Sequence, residues 1–110
     1  MSEIARGSIV SVYATFPTDA EARRIGRTLV EERLAACVNI LGPCHSIYRW
    51  KSEIEEAGEV AAIFKTRADK ADALVARLAA LHSYDVPAAV VWPIGAGPKQ
   101  YLDWVIESIG

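Results

Sequence analysis

The chain lacks most of what membrane insertion and the commonest catalytic signatures require. No apolar stretch approaches the roughly 20 residues that cross a bilayer as a helix, and Met1 to Arg6 is short and mixed in character. A secretory leader has a basic start and then an apolar core, so a cytoplasmic chain with no membrane partner is expected. An excess of one charge is also missing: 12 basic residues stand against 14 acidic ones, a net charge of −2, which leaves no basic face for nucleic acid. The two cysteines, Cys37 and Cys44, are not in a C-x-x-C arrangement, which argues against a zinc knuckle or a thioredoxin-type pair. They flank Gly42-Pro43, which reads as a tight turn. A hairpin closed there would leave them out of register for a disulfide, so two reduced thiols are expected. No stretch has the form G-x-G-x-x-G, a P-loop, H-E-x-x-H or G-x-S-x-G. Gly95-Ala-Gly97 reads as a cap and connector before a helix.

What is present is a generous apolar fraction, 52% of 110 residues. That length suits one domain spanning residues 1–110. A monomer of this size buries only about two-thirds of the surface its unfolded chain exposes, so surplus apolar surface is expected to be shared with copies of itself. Ser8 to Phe16 is β-branched and aromatic and predicts a buried strand. Thr18-Asp-Ala-Glu21 has the capping-box pattern, with Thr18 accepting from the backbone and Glu21 reaching back. The helix it opens carries Ala22, Ile25, Leu29 and Val30 on one face. Ala35 to Leu41 reads as a second strand ending at Gly42-Pro43, and His45 to Ile54 as a third with Tyr48 and Trp50 on one side. Glu55 to Gly58 reads as a charged turn, and Glu59 to Arg67 as a fourth strand. A helix from about Asp69 to His82, a strand from Ala88 to Gly95 and a closing helix after Gly97-Pro98 complete the order. This is an α+β chain of the ferredoxin-like βαββαβ type, with one strand broken or extended and a C-terminal helix added. Tyr48, Trp50, Phe64 and Trp92 cannot all face the helices, which predicts an oligomer packed sheet to sheet.

Few residues invite chemistry. Lys65 lies in an otherwise apolar strand, where a lysine must snorkel, pair or face a polar cavity. Asn39 poses the same question on the second strand, and the two suggest a shared pocket or a structural network. His82, at a helix end near Tyr84, is either a residue suited to the helix dipole or a metal ligand or proton carrier. Cys37 is a small strand residue with nothing nearby in sequence to activate its thiol.

The run Ala35 to Ile40, followed by Pro43 and then Ser46-Ile-Tyr-x-Trp50, resembles the signature of the CutA divalent-cation tolerance family. The likeness continues through Glu53, Glu59 and Ile63-x-Lys-Thr66 to His82-x-Tyr-x-x-Pro87 and Tyr101-Leu-x-Trp104. The resemblance implies a tight homotrimer whose long second and third strands reach into neighbouring copies, an architecture also similar to the PII signalling proteins. It implies a non-enzymatic role in the response to divalent metals, with Cu2+ or another divalent cation as ligand. Copper-binding members have a first-strand cysteine and paired histidines; here Ala14 and the pair Leu81-His82 stand at those places, and Ser83 follows where a proline is usual. Too few strong donors then remain in one subunit for a tight thiolate–imidazole site. The expected ligand-binding residues, in a cleft between subunits, are Cys37, Asn39, Trp50, Lys65 and Tyr84, with His82 as the metal residue. A small-molecule sensor, or an enzyme using Lys65 or His82 for acid–base work in the same cleft, are the alternatives.

Overall fold

In the computed structural model, which describes residues 8–110, the first apolar run forms strand β1 (Ile9–Phe16). The reading of Met1 to Arg6 lies outside the described residues. Helix α1 (Asp19–Glu31) starts as its sequence dictates: Thr18 Oγ1 accepts the Glu21 backbone N–H at 3.1 Å. Strands β2 (Cys37–Trp50) and β3 (Glu53–Arg67) follow, then a short 3-10 turn, helix α2 (Ala71–Leu81), strand β4 (Ala89–Pro93) and helix α3 (Lys99–Ile109). The sheet order is β2-β3-β1-β4, with every neighbouring pair antiparallel. This is the split βαβ arrangement, in which β3 inserts between β1 and β2. Among the described residues no helix is long and apolar enough to cross a membrane.

Alternation along β1 and β3 divides the sheet into two faces. Val12, Ala14, Phe16, Ala62 and Phe64 point toward α1 and α2, whose Ile25, Leu29, Leu74 and Leu78 complete a fully buried core. The helix α1 backbone comes so close that a Cβ on Gly26 would lie 2.9 Å from Val38 Cγ1. On the opposite face α3 covers one end, with Val105 and Ile109 packed on Ile9 and Ala36. The rest of that face stays open, and Tyr48, Trp50 and Trp92 are 41%, 48% and 47% exposed. Phe64 sits on the helix side instead.

The largest departure from the local reading lies between Ala35 and Arg67. Gly42-Pro43 is not a turn, and Glu55 to Gly58 is not one either: both belong to two long strands that turn only at Lys51-Ser52. Gly42 instead serves a β-bulge, where Leu41 has no partner and Gly42 takes a φ of +102°. Pro43 is tolerated because β2 lies at the sheet edge. The bulge shifts the register by one residue, which reverses the parity of β2. Cys37 and Asn39 face the open side before it; Ser46, Tyr48 and Trp50 do so after it. Cys37 and Cys44, both free, lie seven positions apart on one strand, roughly 23 Å along an extended chain and far beyond disulfide reach.

The real turn is written in unfavourable residues. Lys51 and Ser52 have φ of +50° and +71°, the doubly left-handed form that Asn-Gly adopts with least strain. Replacing Lys51-Ser52 by Asn-Gly is expected to raise stability by about 1–2 kcal/mol. Urea unfolding measures it, and a lower midpoint would speak against this turn.

Candidate functional site

His82 organises the end of the sheet where α2 runs out. Its side chain is fully buried, with Nε2 2.9 Å from the Thr15 carbonyl. The Tyr84 backbone N–H donates to Nδ1 at 3.0 Å. Nδ1 is therefore an acceptor, and the proton sits on Nε2 and is donated to Thr15. The ring stacks on Phe16 at 5.0 Å between centroids and meets Tyr84 at 4.8 Å. Glu21 is not the reciprocal cap its position suggested. Its carboxylate accepts the Ser83 N–H at 2.9 Å and lies 3.5 Å from His82 Nδ1. Burial pushes the Glu21 carboxyl up, but the Ser83 hydrogen bonds, helped by the Arg24 charge, outweigh it and leave the group below its ordinary value.

The loop held in this way carries Tyr84 across to the hairpin, where its hydroxyl donates to Glu59 at 2.9 Å. Burial first, then the Glu59 hydrogen bond and charge, push the Tyr84 phenol up to about 12. A raised pKa means that the unfolded phenol ionises before the folded one. Stability from this group is thus intact below pH 10 and is lost as pH climbs from 10 to about 12. Tyr84→Phe is expected to flatten that alkaline decline in urea midpoints; an unchanged decline would mean that the contact is not made.

Loop, hairpin and sheet together enclose a cleft of about 560 Å³. Tyr13 and Thr15 form its floor, the hairpin contributes Tyr48, Trp50, Glu55 and Glu59, and the loop adds Tyr84 and Asp85. The volume is that of a small-molecule site, roughly 300–1,000 Å³. Trp50 and Tyr84 both line this cleft. Cys37, Asn39 and Lys65 do not: they lie at the other end of β2, beneath α3. Lys65 Nζ donates to Asn39 Oδ1 at 3.0 Å, and Cys37 Sγ is 3.7 Å from the Tyr101 hydroxyl. One protomer therefore cannot place all five residues in one cleft, since Cys37 and Trp50 are separated by about 40 Å of extended strand. Sequence reasoning missed Tyr13, Glu55 and Asp85 as lining residues, because their convergence depends on the pairing of β3 between β1 and β2 and on the loop anchored by His82.

The arrangement also limits what a metal can use. His82 has both ring nitrogens committed, so it offers no lone pair in this conformation. Among the described residues no three His, Cys, Asp or Glu side chains come close enough to hold an ion. The nearest approach to a ligand pair is His45 Nε2 with Glu56 Oε1 at 2.7 Å on the outer side of the hairpin. A closed site within one protomer does not fit these residues.

A four-stranded split βαβ sheet with an extended edge hairpin and a cleft beneath its loop defines a ferredoxin-like α+β protein. The family described as "CutA1 divalent ion tolerance protein" matches residues 10–108. The divalent-cation tolerance protein CutA of Thermus thermophilus is 46% identical over 90% of this chain and 96% of its own. Among solved structures, CutA from Xylella fastidiosa superposes with a TM-score of 0.91 at 38% identity, covering 94% of this chain and 99% of that one. The CutA structure from Archaeoglobus fulgidus, described as a periplasmic divalent cation tolerance protein, has a TM-score of 0.90 at 41% identity, covering 93% and 99%. This chain belongs to the CutA1 divalent ion tolerance family.

Proposed function

We propose that the protein serves the response to divalent metal ions in the cytoplasm as a non-enzymatic homotrimer, with Cu2+ or another divalent cation bound by donors from more than one copy. The observation that carries the assembly is the uncovered side of the sheet. Trp50, Trp92, Val90 and Tyr48 are 41–48% exposed there, and Ile47 and Ile54 on the back of the hairpin are 65% and 60% exposed. Contiguous apolar surface of this kind is an interface signature. Among the described residues the sheet also ends in two unpaired edges, β2 and β4, which different copies can cover head to tail, and such contacts close into rings. What supports sharing of the cation is the poverty of donor clusters among the described residues of one protomer.

Calorimetric titration with Cu2+ and Zn2+ at about micromolar protein tests the reading. The expected stoichiometry is below one ion per chain, and His82→Ala should leave it unchanged, because His82 is committed to Thr15 and Tyr84. One ion per chain lost in His82→Ala would restore His82 as a ligand and overturn the shared site; absence of binding would overturn direct metal capture. The roomy cleft favours a second reading, sensing of a small organic ligand at the boundary between copies.

A further inference from the structure

We propose that the cleft beneath the Tyr84 loop binds a small organic ammonium cation. The proposal rests on the ligand-sensing reading and names the chemical class of the ligand. Among the described residues, the charge lining the cleft is negative: Glu55, Glu59 and Asp85. No lysine or arginine among the described residues lines it to neutralise them. Glu59 is the best placed of the three, half-buried and already fixed by the Tyr84 hydroxyl at 2.9 Å, so its carboxylate is oriented before any ligand arrives. Its second oxygen is left for a donor from the cleft.

The walls are as specific as the charge. Tyr13, Tyr48, Trp50 and Tyr84 bring four aromatic rings to one cleft. Ring faces carry negative potential and attract cations within about 6 Å of the centroid, tryptophan most strongly. One such contact already exists at the hairpin turn, where Lys51 Nζ lies 5.7 Å from the centroid of the Trp50 ring. A hydrated divalent metal gains little from aromatic faces and demands oxygen ligands in close geometry. An alkylammonium gains from both rings and carboxylates, because its charge is diffuse and its surface apolar. The approximately 560 Å³ volume leaves space for an ammonium head group with a short substituent. In the proposed trimer a neighbouring copy would close the open side, lowering the local dielectric and strengthening these contacts.

The test is titration of the full-length protein with choline, followed by tryptophan fluorescence, against its uncharged isostere 3,3-dimethylbutan-1-ol. Saturable choline binding at least about ten-fold tighter than the isostere is the expected result. Glu59→Gln and Tyr48→Leu, checked for unchanged mass by light scattering, should each weaken choline by about five-fold or more. Equal affinity for the neutral isostere would overturn the ammonium assignment and leave ligand sensing at the cleft standing. Binding of neither compound would overturn both, as it would if a basic side chain of a second copy filled the cleft.

Discussion

Phe16→Ala is expected to cost about 3–5 kcal/mol of folding stability, a large share of what a domain of this size possesses. Phe16 is fully buried, meets Phe64 at 6.5 Å between centroids and stacks on His82 at 5.0 Å. Removing the ring leaves a cavity between two layers that are fixed on both sides, the sheet below and α1 and α2 above, so collapse around it is limited. The loss has a second consequence at the site. His82 would keep its hydrogen bonds but lose the surface against which its ring is pressed, and the Tyr84 loop hangs from that ring. Urea unfolding should therefore report a much lower midpoint. The alkaline decline assigned to Tyr84 should shrink in the same variant. A cost below about 1 kcal/mol would mean that the core is not organised around this residue.

Trp50→Asp should have the largest effect on assembly and almost none on the fold of one protomer. Trp50 stands at the hairpin tip, 48% exposed, and substitutions at such places ordinarily change stability by no more than about 0.5 kcal/mol. If the hairpin reaches onto a neighbour, the same change removes a large aromatic contact and puts a charge where none is paired. The expected outcome at about micromolar concentration is dissociation to monomers or non-specific aggregation, with the strand and helix signals of the protomer largely kept. Retention of the wild-type mass would place Trp50 outside the interface.

Much of this architecture is legible in the residues because local and global preferences agree. β1 is β-branched and bounded by Gly7 and Pro17, and Thr18 caps α1 as its position suggests. The apolar spacing of α2 and α3 places Leu74, Leu78, Val105 and Ile109 in the core. The hairpin was illegible locally for two reasons. Its outer half is exposed on both faces, so Glu53 to Gly58 shows no alternation of apolar and polar residues and resembles a solvated turn. Its true turn uses Lys51-Ser52, which carry no turn signature, whereas Gly42-Pro43 carries a strong one and forms a bulge. Only the family resemblance pointed to long second and third strands.

The candidate site divided along the same lines. Lys65 and Asn39 stand out in the sequence as polar residues on apolar strands, and in the fold Lys65 donates to Asn39. His82 was legible as unusual but not as the anchor of a loop, since its partners Thr15 and Glu21 lie more than 60 positions earlier. Glu59 was visible only as part of a family pattern. Its meeting with Tyr84, 25 positions away, follows from the alternation of β3, which turns Glu59 to the open side, and from the loop anchored by His82.

The proposed trimer completes the open aromatic face and the sheet edges with two further copies of the same chain. Its most direct test is the mass of the unmodified protein in solution at about micromolar concentration, by light scattering or sedimentation equilibrium. The predicted value is about 36 kDa, three times the 12.0 kDa of one chain, and unchanged on several-fold dilution. A single species at 12.0 kDa would contradict the account.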